Sequence, residues 1–155
     1  MRRIAFVVGA AVLAAALIRK LRGHHGSSED VVRAYFDAWS DGDGDAMRDL
    51  VTDDYQAHVR TLEGTEERDA DELVDVVDSH AEAFAEVEYE LQDVLCHNGH
   101  VAVRATMRAR HQETDREGEI DGIAILRLDD GRIAEEWSSW DYLDLADQLG
   151  LSESR

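Results

Sequence analysis

Asp141 closes an alternating stretch in which Ile133, Glu135, Trp137, Ser139 and Asp141 share one phase. A carboxylate beside a tryptophan in a poorly solvated pocket has its proton affinity raised, as general acid–base chemistry requires. The same aspartate immediately precedes a helical stretch containing Leu143 to Leu149, where it would cap the first turn. The two roles are compatible. His111 ends a run of inward-facing apolar residues, where an imidazole could share protons near neutral pH or orient a carbonyl. The plainer reading is a histidine at the solvent rim of a strand. Asp141 and His111 are the candidate catalytic residues.

His58, Trp137, Trp39, His80 and Tyr55 are the candidate substrate contacts. His58 alternates out of phase with Tyr55, Ala57 and Val59, and lining a pocket or sitting satisfied and half-buried would suit it equally. His80 follows Leu73 and Val77 on one helical face, where a core histidine is the plainer reading. Phe36, Trp39, Met107, Trp137 and Trp140 can pack a core as readily as they can form a platform for a ligand.

Metal and cofactor motifs fail on inspection. Asp41, Asp43 and Asp45 have the spacing of a calcium loop, but Ala46 stands where the turn glycine belongs and Thr52 where the bidentate glutamate belongs. His97 and His100 flank a turn without completing a ligand set. Glu135 and Glu136 are strand neighbours facing opposite ways, so they cannot chelate together. No phosphate-binding glycine loop, serine elbow or dinucleotide fingerprint is present. The expectation is no metal and no cofactor. Cys96 is the single cysteine, so no internal disulfide can form, and a small buried hydrophobe is its expected role.

The chain has 155 residues, 44% of them hydrophobic, with 35 acids against 16 cations and a formal net charge of −19. Such a field repels phosphate backbones and argues against nucleic acid as a partner. Lys20 is the only lysine, and an acidic, lysine-poor surface suits a halophilic setting. Residues 4–18 form an unbroken apolar run between Arg2-Arg3 and Arg19-Lys20. At helical rise that run spans about 22 Å, short of a bilayer core of about 30 Å unless snorkelling arginines extend it. A polar small-residue cleavage site is missing, so residues 1–22 read as an uncleaved membrane anchor rather than a signal peptide. Three cations after the run, Arg19, Lys20 and Arg22, against two before it place the domain in the cytoplasm. Residues 23–28 read as a linker and 29–151 as one domain.

Periodicity gives the elements. Ser27 and Asp30 form a capping box opening a helix with Val32, Tyr35, Phe36 and Trp39 on its apolar face. Asp45 caps a short second helix, Tyr55–Val59 is a strand, and a longer helix starts near Asp71. The period then changes to 2. Asn98-Gly99 and Asp130-Gly131 mark tight turns between strands, and Ile120–Leu128 is apolar on both faces, as in a central strand. The expected fold is α+β, with a strongly curved antiparallel sheet wrapped around helices into a cone with an apolar pocket, preceded by an N-terminal hydrophobic helix.

VVRAYFDAWSDGD with DLVTDDYQAH, HAEAFAEVEYELQDVLCHNGHVAVR, and the ending DGIAILRLDDGRIAEEWSSWDYLDLADQLG together resemble the SnoaL-like (ester cyclase) polyketide cyclases of the nuclear-transport-factor-like fold. His58 and His111 match histidines that recur in that family. The resemblance implies a cofactor-free, aldol-type ring closure in which an acidic side chain moves protons inside an apolar pocket. One position departs from it: where many members read GIDI, with a carboxylate directed at the pocket, this chain reads Gly122-Ile123-Ala124-Ile125. Two functions therefore stand. One is a small-molecule pocket protein performing acid–base cyclisation, isomerisation or hydration of an apolar carbonyl compound. The other is a non-catalytic module of the same fold, binding an apolar ligand or a partner protein at the membrane. Its expected partners are a small apolar molecule, the membrane through residues 4–18, and a second copy through the sheet.

Overall fold

The computed structural model describes residues 27–61 and 63–151. The expected N-terminal hydrophobic helix and anchor lie outside these residues. Four helices and six strands follow in the order α1 (Ser28–Asp41), α2 (Gly44–Leu50), β1 (Val51–Thr61), β2 (Gly64–Arg68), α3 (Ala70–Ala83), β3 (Phe84–His97), β4 (His100–His111), β5 (Glu117–Asp129), β6 (Arg132–Trp140) and α4 (Tyr142–Leu149).

Local chemistry sets the boundaries. The Ser27–Asp30 capping box forms as expected, so α1 begins inside the stretch read as linker. Gly42 ends α1 with φ of 62°, a left-handed conformation that favours glycine. Asp43, not Asp45, caps α2: its carboxylate accepts from the Ala46 amide at 2.8 Å. Asp69 caps α3 in a box with Glu72. The strand read as Tyr55–Val59 is longer at both ends, and β2 was not anticipated because its charged sequence, Gly-Thr-Glu-Glu-Arg, carries no apolar alternation.

The six strands form one curved sheet in the order β2-β1-β6-β5-β4-β3. It is not wholly antiparallel, because β1 and β6 run parallel. Asn98-Gly99 and Asp130-Gly131 make the two tight turns, all four residues with positive φ. Helices α1, α2 and α3 cover one face of the sheet, and their apolar stripes meet inward residues of β1, β4, β5 and β6. A smaller cluster of Met107, Ala109, Ile120, Leu145 and Leu149 fixes α4 across β4 and β5.

Two further readings need correction. Ile120–Leu128 is apolar on both faces but alternates in burial, and Ile123 (61%) and Ile125 (47%) are exposed on the outer face. Cys96 is exposed, near the turn end of β3, an edge strand of the sheet.

Candidate functional site

A cavity of about 230 Å³ opens between the helices and the concave face of the sheet. Its aromatic wall comes from Phe36 and Trp39 on α1, Tyr89 on β3 and Trp140 on β6. Trp140 can lie flat because its neighbour across β5 is Gly122: a Cβ there would come within 2.2 Å of the indole.

Glu136 is the charged group set deepest in this wall, with 8% of its surface exposed. It faces inward because of a bulge. The β5–β6 register shifts between Arg127 and Leu128, so Ile133 and Ala134 are both buried and the alternation restarts one residue out. Beyond the bulge Ala134, Glu136 and Ser138 are buried, whereas Trp137 and Ser139 face out.

Two tyrosines hold the carboxylate. Tyr35 of α1 and Tyr55 of β1 both donate to Glu136 Oε2, Tyr55 at 2.8 Å, and the two hydroxyls lie 3.3 Å apart. Burial, then the Glu136 charge, pushes both phenols well above their ordinary range. They therefore remain protonated donors at any physiological pH. Glu136 Oε1 has no protein donor, and no cation pairs with the carboxylate, among the described residues. Tyr142 borders the same cavity, its phenol pushed up to about 12 by burial and then by Glu136. His80 packs between Trp39 and Phe84, with ring centroids 5.2 and 5.1 Å away, and its buried Nδ1 has no hydrogen-bond partner among the described residues. Burial, then Arg68, lowers its pKa to about 4, so the ring is neutral.

Of the residues singled out from the sequence, Tyr55, Trp39 and His80 meet in this cavity. The other four lie elsewhere. Asp141 is exposed and caps α4, accepting from the Asp144 amide at 3.1 Å beside an open groove on the outer face. His111 sits at the far end of β4, where its Nδ1 accepts from the Thr114 amide at 3.3 Å. His58 and Trp137 are cross-strand partners on the outer face, stacked at 5.5 Å. The His58 ring is occupied by Glu135 at 3.0 Å, and this bond, with Arg127 alongside, holds the Glu135 carboxyl below its usual range. Glu136, Tyr35, Tyr89 and Arg68 went unrecognised as site residues in the sequence. The adjacent apolar pair Ile133-Ala134 beside a tight turn is the sequence signal of the bulge that turns Glu136 inward.

The family model described as SnoaL-like domain matches residues 32–136. IdmH of Streptomyces antibioticus, a candidate polyketide cyclase, is similar in structure, with 25% identity, a TM-score of 0.72 and coverage of 81% of this chain and 99% of that one. A candidate polyketide cyclase from Bacillus cereus matches at 22% identity and TM-score 0.69, covering 79% and 80% of the two chains. A protein of ketosteroid isomerase-like fold from Catenulispora acidiphila, in complex with trimethylamine, matches at 14% identity and TM-score 0.71, covering 79% and 93%. No curated protein matches the sequence significantly.

Proposed function

The chain belongs to the SnoaL-like domain family, and from that premise we propose that its cavity carries out cofactor-free acid–base chemistry on a small apolar carbonyl compound, with Glu136 as the proton-transfer group. The observation carrying this is the buried carboxylate of Glu136, tethered through one oxygen by two tyrosines and free at the other. A buried charge without a counter-ion is costly, and sites of proton transfer are where such arrangements are kept.

In the proposed step Glu136 Oε1 removes a proton from carbon α to the carbonyl. The C–H pair becomes the enolate double bond, and the carbonyl π pair moves to oxygen. Tyr142 and Ser138 line the cavity, and their hydroxyls are the candidate donors to that oxygen. Returning the proton to another carbon isomerises the compound, whereas attack of the enolate on a second carbonyl closes a ring. The absence of a carboxylate at Ala124 does not remove the chemistry. Ala124 pairs with Ser138, and Glu136 lies two residues along the same face of β6, so a carboxylate reaches the pocket from one strand over. At about 230 Å³ the cavity lies below the usual 300–1,000 Å³ of ligand pockets, which suits a compound of one or two rings.

The test is solvent exchange of the benzylic protons of phenylacetone in D₂O, followed by NMR. Wild-type protein should accelerate it, and Glu136→Gln should lower the acceleration by about 10²-fold or more. Binding without exchange would favour the non-catalytic module instead.

We also propose that residues 4–18 hold the chain at the membrane with the domain on the cytoplasmic side, on the strength of the apolar run and its cationic flanks. Full-length protein should sediment with membranes and a chain starting at Gly26 should not. Self-association through the outer face of the sheet is proposed from the exposed Ile123, Ile125 and Trp137. A monomer by light scattering at all concentrations would rule it out.

A further inference from the structure

A row of three residues crosses the concave face of the sheet. Arg68 of β2 is paired with Ala57 of β1, and Ala57 is paired in turn with Glu136 of β6. Directly paired residues share a face, and all three border the cavity. Two strand spacings place the Cα atoms of Arg68 and Glu136 about 10 Å apart. Between them Ala57 contributes only a methyl group. A cation and a buried carboxylate thus look into one small space without pairing with each other.

Arg68 is instead bonded through Nη2 to Glu66 at 2.8 Å, two residues back on the same edge strand. The Glu66 side chain is 52% exposed, and a pair of this kind contributes little. The Arg68 side chain is only 19% exposed, yet Nε and Nη1 have no acceptor among the described residues. The arginines of β4 contrast with it. Arg104, Arg108 and Arg110 project from the outer face, and two separate acceptors satisfy each guanidinium. The charge of Arg68 is also felt inside the cavity: it depresses His80 and opposes the rise of Tyr142.

We infer that Arg68 anchors an anionic group, a carboxylate, on the molecule the cavity takes. The ligand is then a small organic acid. Its carboxylate meets the open side of the guanidinium fork, its apolar body lies against Trp39 and Trp140, and its reactive carbon points toward Glu136. A planar fork matches a carboxylate better than any other side chain does. In a chain with net charge −19, a cation at the pocket edge also offsets the field that would otherwise repel an acid.

The inference rests on reading the cavity as a ligand site, and the test separates the two. Binding of phenylpyruvate is compared with that of phenylacetone, which has a methyl group in place of the carboxylate. Both are titrated calorimetrically against the full chain at one ionic strength. Wild-type protein should prefer phenylpyruvate by about ten-fold or more, and Arg68→Gln should bring the two within roughly two-fold. Glu66→Gln removes the competing carboxylate and should widen the preference. Glu136→Gln should lose proton exchange while retaining the preference, so failure of the acid–base reading shows in exchange alone. Equal affinities in wild type, failure of both to bind, or a preference surviving Arg68→Gln would each overturn the assignment. Should Arg68→Gln fail to fold by circular dichroism, Glu66→Gln decides, and an unchanged or narrower preference there overturns it.

Discussion

Tyr55 donates its hydroxyl to Glu136 Oε2 at 2.8 Å across the parallel β1–β6 pair, in a setting where both side chains are buried. The bond has two separable consequences. It satisfies a buried phenol, and it fixes which carboxylate oxygen faces the cavity. Tyr55→Phe removes one of two donors and leaves Tyr35 in place. Leaving a buried acceptor short of a partner should lower stability by about 1–3 kcal/mol in chemical unfolding. Exchange activity should fall as well, because the carboxylate is less well oriented. If Tyr55→Phe lost stability but kept full activity, the pair would be a packing device only.

His80 gives a pH dependence with a definite sign. Its pKa is lowered from 6.5 to about 4 in the folded protein, by burial first and Arg68 second. Between those values the unfolded chain binds a proton that the folded protein refuses. The contribution of His80 to stability is therefore complete above pH 6.5 and is lost as pH falls toward 4, by on the order of 3 kcal/mol. Unfolding free energies measured from pH 7 to pH 4 should fall more steeply for wild type than for His80→Gln. Parallel profiles would mean that His80 is solvated when folded.

Much of the fold is legible in the sequence because it is written in short-range chemistry. The Ser27–Asp30 box and the Asn98-Gly99 and Asp130-Gly131 turns each depend on residues within a few positions of one another. The inward apolar run that ends at His111 is likewise legible, and on β4 it consists of Val101, Val103, Ala105, Met107 and Ala109. The site was harder, since it depends on the phase of β6. One bulge reversed that phase, sending Trp137 outward and Glu136 inward. Tyr35 was recognised as an inward helix residue, but its partnership with Glu136 joins positions 101 residues apart. Nothing in local spacing encodes that.

Salt provides a third expectation, and two effects oppose each other. Exposed pairs such as Arg108 with Glu90 and Glu119 weaken with added salt. Each is solvent-screened and contributes little. Against them stands the self-repulsion of a chain with net charge −19, which eases as the screening length shrinks from about 10 Å at 0.1 M to about 3 Å at 1 M. Repulsion acts among all the excess acids, so it should win, and Tm should rise over this range. A flat or falling curve would count against a high-salt setting.

The last expectation separates Asp141 from the reaction. Its carboxylate accepts from the Asp144 amide at 3.1 Å, and the residue lies beside the outer groove rather than the cavity. Asparagine caps a helix about as well as aspartate, whereas alanine does not. Asp141→Asn should therefore leave both Tm and phenylacetone exchange near wild type. Asp141→Ala should cost about 1 kcal/mol of stability through the lost cap, with exchange per folded molecule unchanged. Paired with Glu136→Gln, which should do the reverse, these variants assign proton transfer to one carboxylate or the other. A fall in exchange of about 10²-fold in Asp141→Asn, without a change in Tm, would transfer the role to Asp141 and require the outer groove to be the reaction site.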